Sequence, residues 1–278
     1  MARLRTAHPL NLKTEAMLNT LTSPDGTTIA YDQQGEGPTL ILVDGALTVH
    51  SAGSGELAKL LAPRFTVLGF DRRGRGQSGD TLPYSVDREI DDIEALIDHA
   101  GAPAFLYGHS SGGPLALRAA LRLGGKVARI ALYEPPYNND PGAQGSWSQY
   151  LQQLEHALAQ DRRGDAVALF MRFIGTPAEQ VDQMRRAPFW PRLESVAPTL
   201  AYDHAAILGE PWSVPADLAA RVQVPALVMA GTASLPFMPG AARSLSEAIP
   251  DGQLKNVDGQ THEVSPSVLA PILEEFFS

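Results

Sequence analysis

Short apolar runs alternate with segments of helical periodicity along most of the chain. The runs are rich in β-branched residues and are bounded by turn signals such as SPDG and QGEGP, which is typical of strands. The predicted strands are residues 27–31, 39–43, 65–70, 104–108, 127–133 and 226–231. The predicted helices are residues 55–62, 86–99, 111–123 and 266–277. This alternation predicts an α/β fold, a mostly parallel sheet flanked by helices on both faces.

The alternation stops between about residues 136 and 215, where the sequence is helix-like and rich in Pro, Trp, Phe and Tyr. We expect residues 136–215 to be a helical cap, inserted between two strands and lying over the edge of the sheet. Residues 17–135 and 216–278 then form the core. Residues 1–16 lack the apolar centre of a signal peptide, and we expect them to be a flexible leader.

Charge and composition narrow the range of functions. The 278 residues include 31 acidic and 22 basic side chains, so we expect neither a nucleic-acid nor a membrane-surface partner. No window approaches the roughly 18 apolar residues of a membrane span. The chain has no cysteine, which excludes disulfides and cysteine nucleophiles. We expect a soluble, cytoplasmic protein whose oligomeric state the sequence leaves open, a homodimer included.

The strongest motif lies between a predicted strand and a predicted helix and reads Gly108-His109-Ser110-Ser111-Gly112. A G-x-S-x-G turn in this setting is a nucleophile elbow, which exposes its serine at the carboxyl end of the sheet. Glycines flank the turn because it is too tight for side chains at its outer positions. The motif predicts Ser110 as a nucleophile and the backbone N–H of Ser111 as a donor to a developing oxyanion.

A second motif carries a family resemblance. Residues 71–78, DRRGRGQS, resemble the D-x-R-G-x-G-x-S loop of the α/β-hydrolase superfamily, and with the elbow they make the chain similar to that superfamily over about residues 20–278. The resemblance implies an α/β-hydrolase fold and a mainly structural role for this loop. Dehalogenases and epoxide hydrolases of the superfamily use an aspartate at the elbow, so Ser110 argues against both activities.

The resemblance also implies an oxyanion donor and a base. The loop after the third strand of the family supplies the second donor, and here it reads Asp44-Gly45-Ala46, which makes Ala46 N–H that donor. Asp44 departs from the usual histidine, and a carboxylate beside an oxyanion is unfavourable unless it points away or is hydrogen-bonded. The base is expected on a loop before the last helix, the position of His262.

The carboxylate partner of the histidine is not where the family usually has it, because Ser234 stands in the loop after strand 226–231. Glu134 is the favoured replacement: it ends the strand expected beside the elbow strand, at the same sheet edge as Ser110, and keeps the order serine, acid, histidine. Asp258 is an alternative. A site without a carboxylate, in which Ser234 orients the histidine weakly, also stays open.

Aromatic residues are concentrated in the expected cap and favour an apolar or aromatic substrate. We expect Trp190 and Phe237 to bind the substrate, and His50 and His204 are further candidates to line a pocket. No metal-binding motif such as H-E-x-x-H is present. Residues 74–79 fit the dinucleotide pattern G-x-G-x-x-G but do not open a helix, so no cofactor is expected.

Together these residues predict a serine hydrolase that acts on a carboxylic ester, a lactone or a related small acyl substrate through an acyl-enzyme. Ser110 is the nucleophile, His262 the base and Glu134 its partner, while Ala46 and Ser111 hold the oxyanion. Two other functions stay open. One is a ligand-binding or regulatory protein with little turnover, motivated by the missing acid and by Asp44. The other is a non-hydrolytic serine enzyme of the same fold, such as a lyase.

Overall fold

Eight strands form one mostly parallel sheet in the computed structural model, which describes residues 19–50, 53–101 and 103–278. The expected leader, residues 1–16, lies outside the described residues. The strands are β1 (Asn19–Thr22), β2 (Thr28–Gln34), β3 (Thr39–Val43), β4 (Thr66–Phe70), β5 (Ala104–His109), β6 (Val127–Tyr133), β7 (Ala226–Gly231) and β8 (Gly252–Val257). Their order in the sheet is β1-β2-β4-β3-β5-β6-β7-β8, and β2 is antiparallel to both of its neighbours.

Ten α-helices and one π-helix lie in the described part of the chain. They are α1 (Gly55–Leu61), α2 (Val86–Ala100), α3 (Gly112–Leu123), α4 (Gln144–Ala159), α5 (Arg163–Phe173), α6 (Ala178–Met184), α7 (Trp190–Val196), the π-helix (Tyr202–Leu208), α8 (Ala216–Ala219), α9 (Met238–Ala248) and α10 (Pro266–Phe277). Ser85 Oγ accepts a hydrogen bond from Arg88 N and caps the start of α2.

The central strands are apolar along their whole length because helices cover both faces of the sheet. Leu40 and Leu42 of β3 belong to a buried cluster that includes side chains of α1 and α10. Ile41 and Val43 point to the opposite face and belong to a larger cluster with α2, α3 and α9. Successive residues of a strand alternate between faces, so a continuous apolar run serves both layers at once.

All of the strands and helices predicted from the sequence are present within three residues of their predicted bounds, and the α/β fold is confirmed. Four strands and α-helices within the residues predicted as core, β1, α8, α9 and β8, were not predicted. Between β6 and β7 the chain forms helices α4 to α8 and the π-helix, without a strand in residues 134–225. We call residues 141–219 the helical segment.

Candidate active site

Loops from five strands of the sheet meet at its carboxyl edge. Asp44 follows β3, Ser110 follows β5 and Glu134 follows β6, while Ser234 lies in the loop after β7 and His262 in the loop after β8. Ligand sites of open parallel sheets form at this edge, because the loops there are free to vary while the strands fix their ends. These five residues, which the sequence analysis singled out, therefore lie at the same edge of the sheet.

The turn that carries Ser110 is strained and closely packed. Ser110 has a φ of +54°, in the left-handed region that a non-glycine residue rarely occupies. Its N–H donates to the Tyr133 carbonyl oxygen at 3.0 Å, which ties the turn to the end of β6. A Cβ on Gly112 would lie 2.0 Å from the Val43 carbonyl oxygen, and a Cβ on Gly45 would lie 2.8 Å from Ser110 Cβ. Glycine at both positions therefore lets the loop after β3 approach the serine.

The carboxylate of Glu134 is bonded directly to the histidine. Glu134 Oε2 lies 2.7 Å from His262 Nδ1 and accepts a hydrogen bond from Ser234 Oγ at 2.8 Å. Its other oxygen, Oε1, accepts from Gly231 N at 2.8 Å. Burial opposes ionisation of Glu134, but the hydrogen bonds from His262, Ser234 and Gly231 outweigh burial and hold its pKa below the usual value. Glu134 is thus an ionised, fixed acceptor for the Nδ1 proton of His262.

The loop that carries His262 is anchored by two strand-end side chains. Tyr133 donates its hydroxyl proton to the Thr261 carbonyl oxygen at 2.6 Å. His109 Nε2 donates to the His262 carbonyl oxygen at 3.0 Å. Burial lowers the pKa of His109 to about 4, so that ring is neutral near pH 7. Sequence reasoning missed both anchors, because neither residue type is distinctive at its place in a strand.

The alternative acid does not reach the histidine. Asp258 Oδ1 accepts a hydrogen bond from Thr232 Oγ1 at 3.1 Å, on the exposed turn that follows β8. Asp258 thus stabilises the local loop, the usual role of an aspartate in a turn.

The carboxylate of Asp44 is turned away from the elbow. Asp44 Oδ2 accepts hydrogen bonds from Ser54 Oγ at 3.1 Å and from Ser54 N at 3.4 Å. Burial raises the pKa of Asp44 to about 6. Its side chain borders a separate cavity of 160 Å³ beside His109 and does not line the cavity that contains Ser110. The carboxylate of Asp44 is therefore hydrogen-bonded and does not oppose a negative oxygen beside Ser110.

A buried ion cluster lies beneath the elbow. Asp203, in the π-helix, accepts hydrogen bonds from Arg72 Nη1 at 2.8 Å, Arg75 Nη2 at 2.7 Å and Ser111 Oγ at 2.9 Å. Burial opposes ionisation of Asp203, but Arg75 and Arg72 outweigh it and hold the pKa of Asp203 well below its usual value. Arg75 Nη1 also donates to the Gly45 carbonyl oxygen at 2.6 Å. The cluster joins the helical segment to the loop after β3.

The elbow and the histidine open into one large cavity. Its volume is 690 Å³, and most of its wall is apolar. Ser110, His262, Ala46 and Ser111 lie on this wall. The helical segment contributes the aromatic side chains of Trp147, Phe170, Phe173 and Trp212.

Of the two expected substrate-binding residues, one lines the cavity and one does not. Phe237 lies on the cavity wall, with its ring centroid 5.7 Å from that of Trp212. The assignment of Trp190 needs correction, because its indole is buried within the helical segment and donates to Glu194 Oε1 at 2.9 Å. His204 lines the cavity. His50 does not line it, and its Nε2 lies 2.7 Å from Asp32 Oδ1.

Among residues 19–50, 53–101 and 103–278, no three His, Asp or Glu side chains are grouped as metal ligands would be. Within the same ranges, none of the helices has both the length and the apolar character that crossing a membrane requires.

Comparisons with known proteins agree with this architecture. A family model described as alpha/beta hydrolase fold matches residues 38–266. The solved structure of an alpha/beta hydrolase from Sphaerobacter thermophilus DSM 20745 is 44% identical with a TM-score of 0.83, over 94% of this chain and 100% of that one. A bromoperoxidase from Bacillus anthracis is 19% identical with a TM-score of 0.73, over 93% of this chain and 99% of that one, which shows a shared fold.

Curated relatives match a smaller part of this chain. Proteins named probable oxidoreductase EphD, from Mycobacterium bovis and Mycobacterium tuberculosis, are 33% identical to this chain over 127 residues. That stretch is 43% of this chain but 21% of the length of those relatives.

Proposed function

The chain belongs to the alpha/beta hydrolase family, and from that premise we propose that it is a serine hydrolase of a carboxylic ester, a lactone or a related small acyl compound. The observation that carries the proposal is the 2.7 Å contact between His262 Nδ1 and Glu134 Oε2, on the cavity that also exposes Ser110. A histidine held through Nδ1 by a carboxylate keeps its other nitrogen available as a base.

The reaction follows from these roles. Ser110 Oγ attacks the carbonyl carbon while its proton passes to His262 Nε2. The N–H groups of Ala46 and Ser111 stabilise the negative oxygen of the tetrahedral intermediate. The C–O bond to the leaving alcohol breaks, and His262 returns the proton to that oxygen. Water then attacks the acyl-enzyme by the same route and releases the carboxylic acid and free Ser110.

Glu134 acts through the histidine. Its hydrogen bond fixes the proton of His262 on Nδ1, and its negative charge stabilises the imidazolium that forms during attack. The bonds from Ser234 and Gly231 keep the carboxylate in place, so little reorganisation is needed when the charge develops.

The cavity favours an apolar or aromatic substrate. Its wall is mostly apolar, and aromatic rings from the helical segment and Phe237 surround the space in front of Ser110. Burial of an apolar acyl or alcohol group there is favourable by about 25 cal/mol per Å² of surface removed from water. A sugar or a charged metabolite would lose hydration without compensating hydrogen bonds.

The two observations that favoured a binding protein, the missing acid at position 234 and the presence of Asp44, no longer argue against turnover. Glu134 provides the carboxylate that is missing at position 234, and the carboxylate of Asp44 is bonded to Ser54. A non-hydrolytic serine enzyme would use the same side chains, so product analysis is what separates it from a hydrolase.

Labelling with a fluorophosphonate probe, followed by intact mass, tests the proposal. The native protein is expected to gain one probe mass, Ser110→Ala none, and Glu134→Gln the same mass at a rate lower by orders of magnitude. Asp258→Asn is the matched control, because it removes a carboxylate from the loop before His262 without touching the histidine; it is expected to label at the native rate.

Two results would contradict the proposal. Absence of labelling in native protein whose circular dichroism shows an intact fold would favour a binding protein. Labelling at Ser110 without release of acid and alcohol from any aryl or alkyl ester or lactone in a broad panel would favour the non-hydrolytic alternative.

A further inference from the structure

His204 is a buried histidine in the wall of the active-site cavity that the proposed mechanism does not use. It lies in the π-helix, is 4% exposed and borders the cavity. Its ring centroid is 5.0 Å from that of Phe170, 5.4 Å from that of Tyr150 and 5.7 Å from that of Trp147. A polar ring in such a cage carries a desolvation cost that a hydrogen bond normally offsets.

One of its two nitrogens has a protein partner. His204 Nδ1 lies 2.7 Å from the Tyr150 hydroxyl oxygen. Among the described residues, neither His204 Nδ1 nor the Tyr150 hydroxyl group has another hydrogen-bond partner. If Nδ1 carried the proton, the buried Tyr150 O–H would have no acceptor. The arrangement that uses every proton has Tyr150 donating to Nδ1, which puts the His204 proton on Nε2.

Nε2 is then a donor without a protein acceptor in the described part of the chain. His204 borders the cavity and Tyr150, the partner of its Nδ1, does not, so the ring edge away from Tyr150 is the one available to a ligand in the cavity. The ring is also neutral near pH 7, because burial lowers the pKa of His204 to about 4.

No other polar group of the helical segment competes for this role. The remaining cavity-lining residues of that segment are apolar side chains and a glycine. The indole N–H of Trp147 donates to the Gly209 carbonyl oxygen and that of Trp212 to the Pro136 carbonyl oxygen. On this wall, within the described residues, His204 Nε2–H is therefore the donor left for a ligand.

We propose that His204 is a specificity residue, whose Nε2–H binds an uncharged oxygen of the substrate remote from the carbonyl that Ser110 attacks. The substrate class is then an apolar or aromatic acyl compound with a second, neutral acceptor such as a ketone or amide carbonyl. This inference rests on the proposed function for the reaction itself, but the hydrogen bond is a property of binding and is measurable without turnover.

Matched esters test the hydrogen bond. Methyl 4-acetylphenylacetate and methyl 4-isopropylphenylacetate differ in one carbonyl oxygen at nearly constant shape, and the 3-substituted pair moves that oxygen along the cavity. The ratio of kcat/KM between the acetyl and isopropyl esters is expected to be about tenfold higher in native protein than in His204→Leu, for at least one pair. If His204 had a purely structural role, His204→Leu would lower kcat/KM for both esters together and leave their ratio unchanged.

Three further variants separate the hydrogen bond from packing. His204→Gln keeps an N–H donor and is expected to keep part of the preference. Tyr150→Phe removes the group that fixes the proton on Nε2 and is expected to reduce the preference. Phe170→Leu changes an apolar neighbour on the same wall and is expected to affect both esters equally.

A binding measurement separates this inference from the proposed function. In Ser110→Ala, quenching of Trp147 and Trp212 fluorescence gives Kd for the same esters without hydrolysis. Tighter binding of the acetyl ester that disappears in Ser110→Ala/His204→Leu supports the inference even if native protein hydrolyses neither ester. Equal Kd values within both pairs, or a preference that survives His204→Leu, would overturn it even if hydrolysis depends on Ser110.

Discussion

At the scale of single residues, the ends of two neighbouring strands meet at one carboxylate, that of Glu134. Ser234 Oγ lies 2.8 Å from Glu134 Oε2, which in turn lies 2.7 Å from His262 Nδ1. The ends of the neighbouring strands β6 and β7 thus converge on the carboxylate that contacts His262. The carboxylate that contacts the histidine therefore comes from the end of β6, one strand away from the position of Ser234.

This convergence predicts a rescue. Glu134→Gln is expected to lower kcat/KM for an aryl ester by about 10³- to 10⁴-fold, because glutamine cannot stabilise the imidazolium. Adding Ser234→Asp to that variant is expected to recover at least a tenfold part of the loss, since it returns a carboxylate to the neighbourhood of His262. Steady-state kinetics with phenyl acetate measures both changes.

The controls are the two single changes at position 234. Ser234→Ala removes one hydrogen bond to Glu134, worth about 1 kcal/mol, and is expected to cost less than tenfold. Ser234→Asp beside an intact Glu134 puts two carboxylates together, so one of them is expected to take up a proton. A double variant no faster than Glu134→Gln would contradict the convergence of the two strand ends on His262.

Asp44 gives a prediction on stability and pH. Burial raises its pKa to about 6 in the folded protein, whereas an unfolded aspartate titrates near 4. Between these values the folded state holds a proton that the unfolded state releases, so the free energy of unfolding falls as pH rises from about 4 to about 6. Two pKa units correspond to about 3 kcal/mol, an upper value for this cost at neutral pH.

Asp44→Asn removes that titration. Relative to native protein, its free energy of unfolding is expected to increase by up to about 3 kcal/mol between pH 4 and pH 7, measured by urea unfolding at each pH. Asp258→Asn changes an exposed aspartate and is the control, for which a difference near zero is expected across the range. A constant difference between Asp44→Asn and native protein at all pH values would show that Asp44 ionises without cost.

At the scale of elements, charged side chains fix the π-helix to the loop after β3. Asp203 bonds to Arg72, Arg75 and Ser111, and the same guanidinium groups donate to the carbonyl oxygens of Asp44 and Gly45. A movement of the π-helix would therefore disturb the loop that carries Ala46. The cluster connects the helical segment to the core and, under the proposed function, positions the N–H groups that we propose as oxyanion donors.

Removal of the central charge tests this connection. Asp203→Asn leaves two buried guanidinium groups without their shared counterion, which is expected to cost about 3–5 kcal/mol of unfolding free energy. Ser111→Ala removes one neutral donor to the same carboxylate and is expected to cost about 1 kcal/mol. Urea unfolding compares the two variants. Similar small losses of unfolding free energy would mean that Glu89, which also pairs with Arg72, is enough to compensate the buried positive charge.

The central elements could be predicted because each one carries its own pattern. β3, β6 and β7 are continuous apolar runs, and the order in which they follow one another brings Glu134 beside Ser110. β8 has the sequence GQLKNV and was missed, because one side of an edge strand is solvated and its polar residues hide the strand signal. Asp203 was missed for another reason: its partner Arg72 is 131 residues away in the chain, and no local pattern reports such a pair.

At the scale of the whole molecule, the cavity is enclosed by two parts of the chain. The sheet edge contributes Ser110 and His262, and the helical segment contributes most of the aromatic wall. A ligand in the cavity contacts both parts, so it is expected to stabilise the folded state as a unit. Any compound that binds the folded but not the unfolded chain raises the unfolding free energy by RT ln(1 + [L]/Kd).

Phenylboronic acid is expected to exploit this geometry, because its boron would accept the oxygen of the proposed nucleophile Ser110 and its ring would lie in an aromatic cavity. At one hundred times its Kd it is expected to raise the unfolding free energy of native protein by about 2.7 kcal/mol. Ser110→Ala keeps the cavity but cannot form the bond to boron, so the rise at the same concentration is expected to be much smaller. Urea unfolding with and without the boronic acid measures both. An equal rise in the two proteins would mean that the ring alone accounts for binding and that Ser110 does not act as a nucleophile toward it.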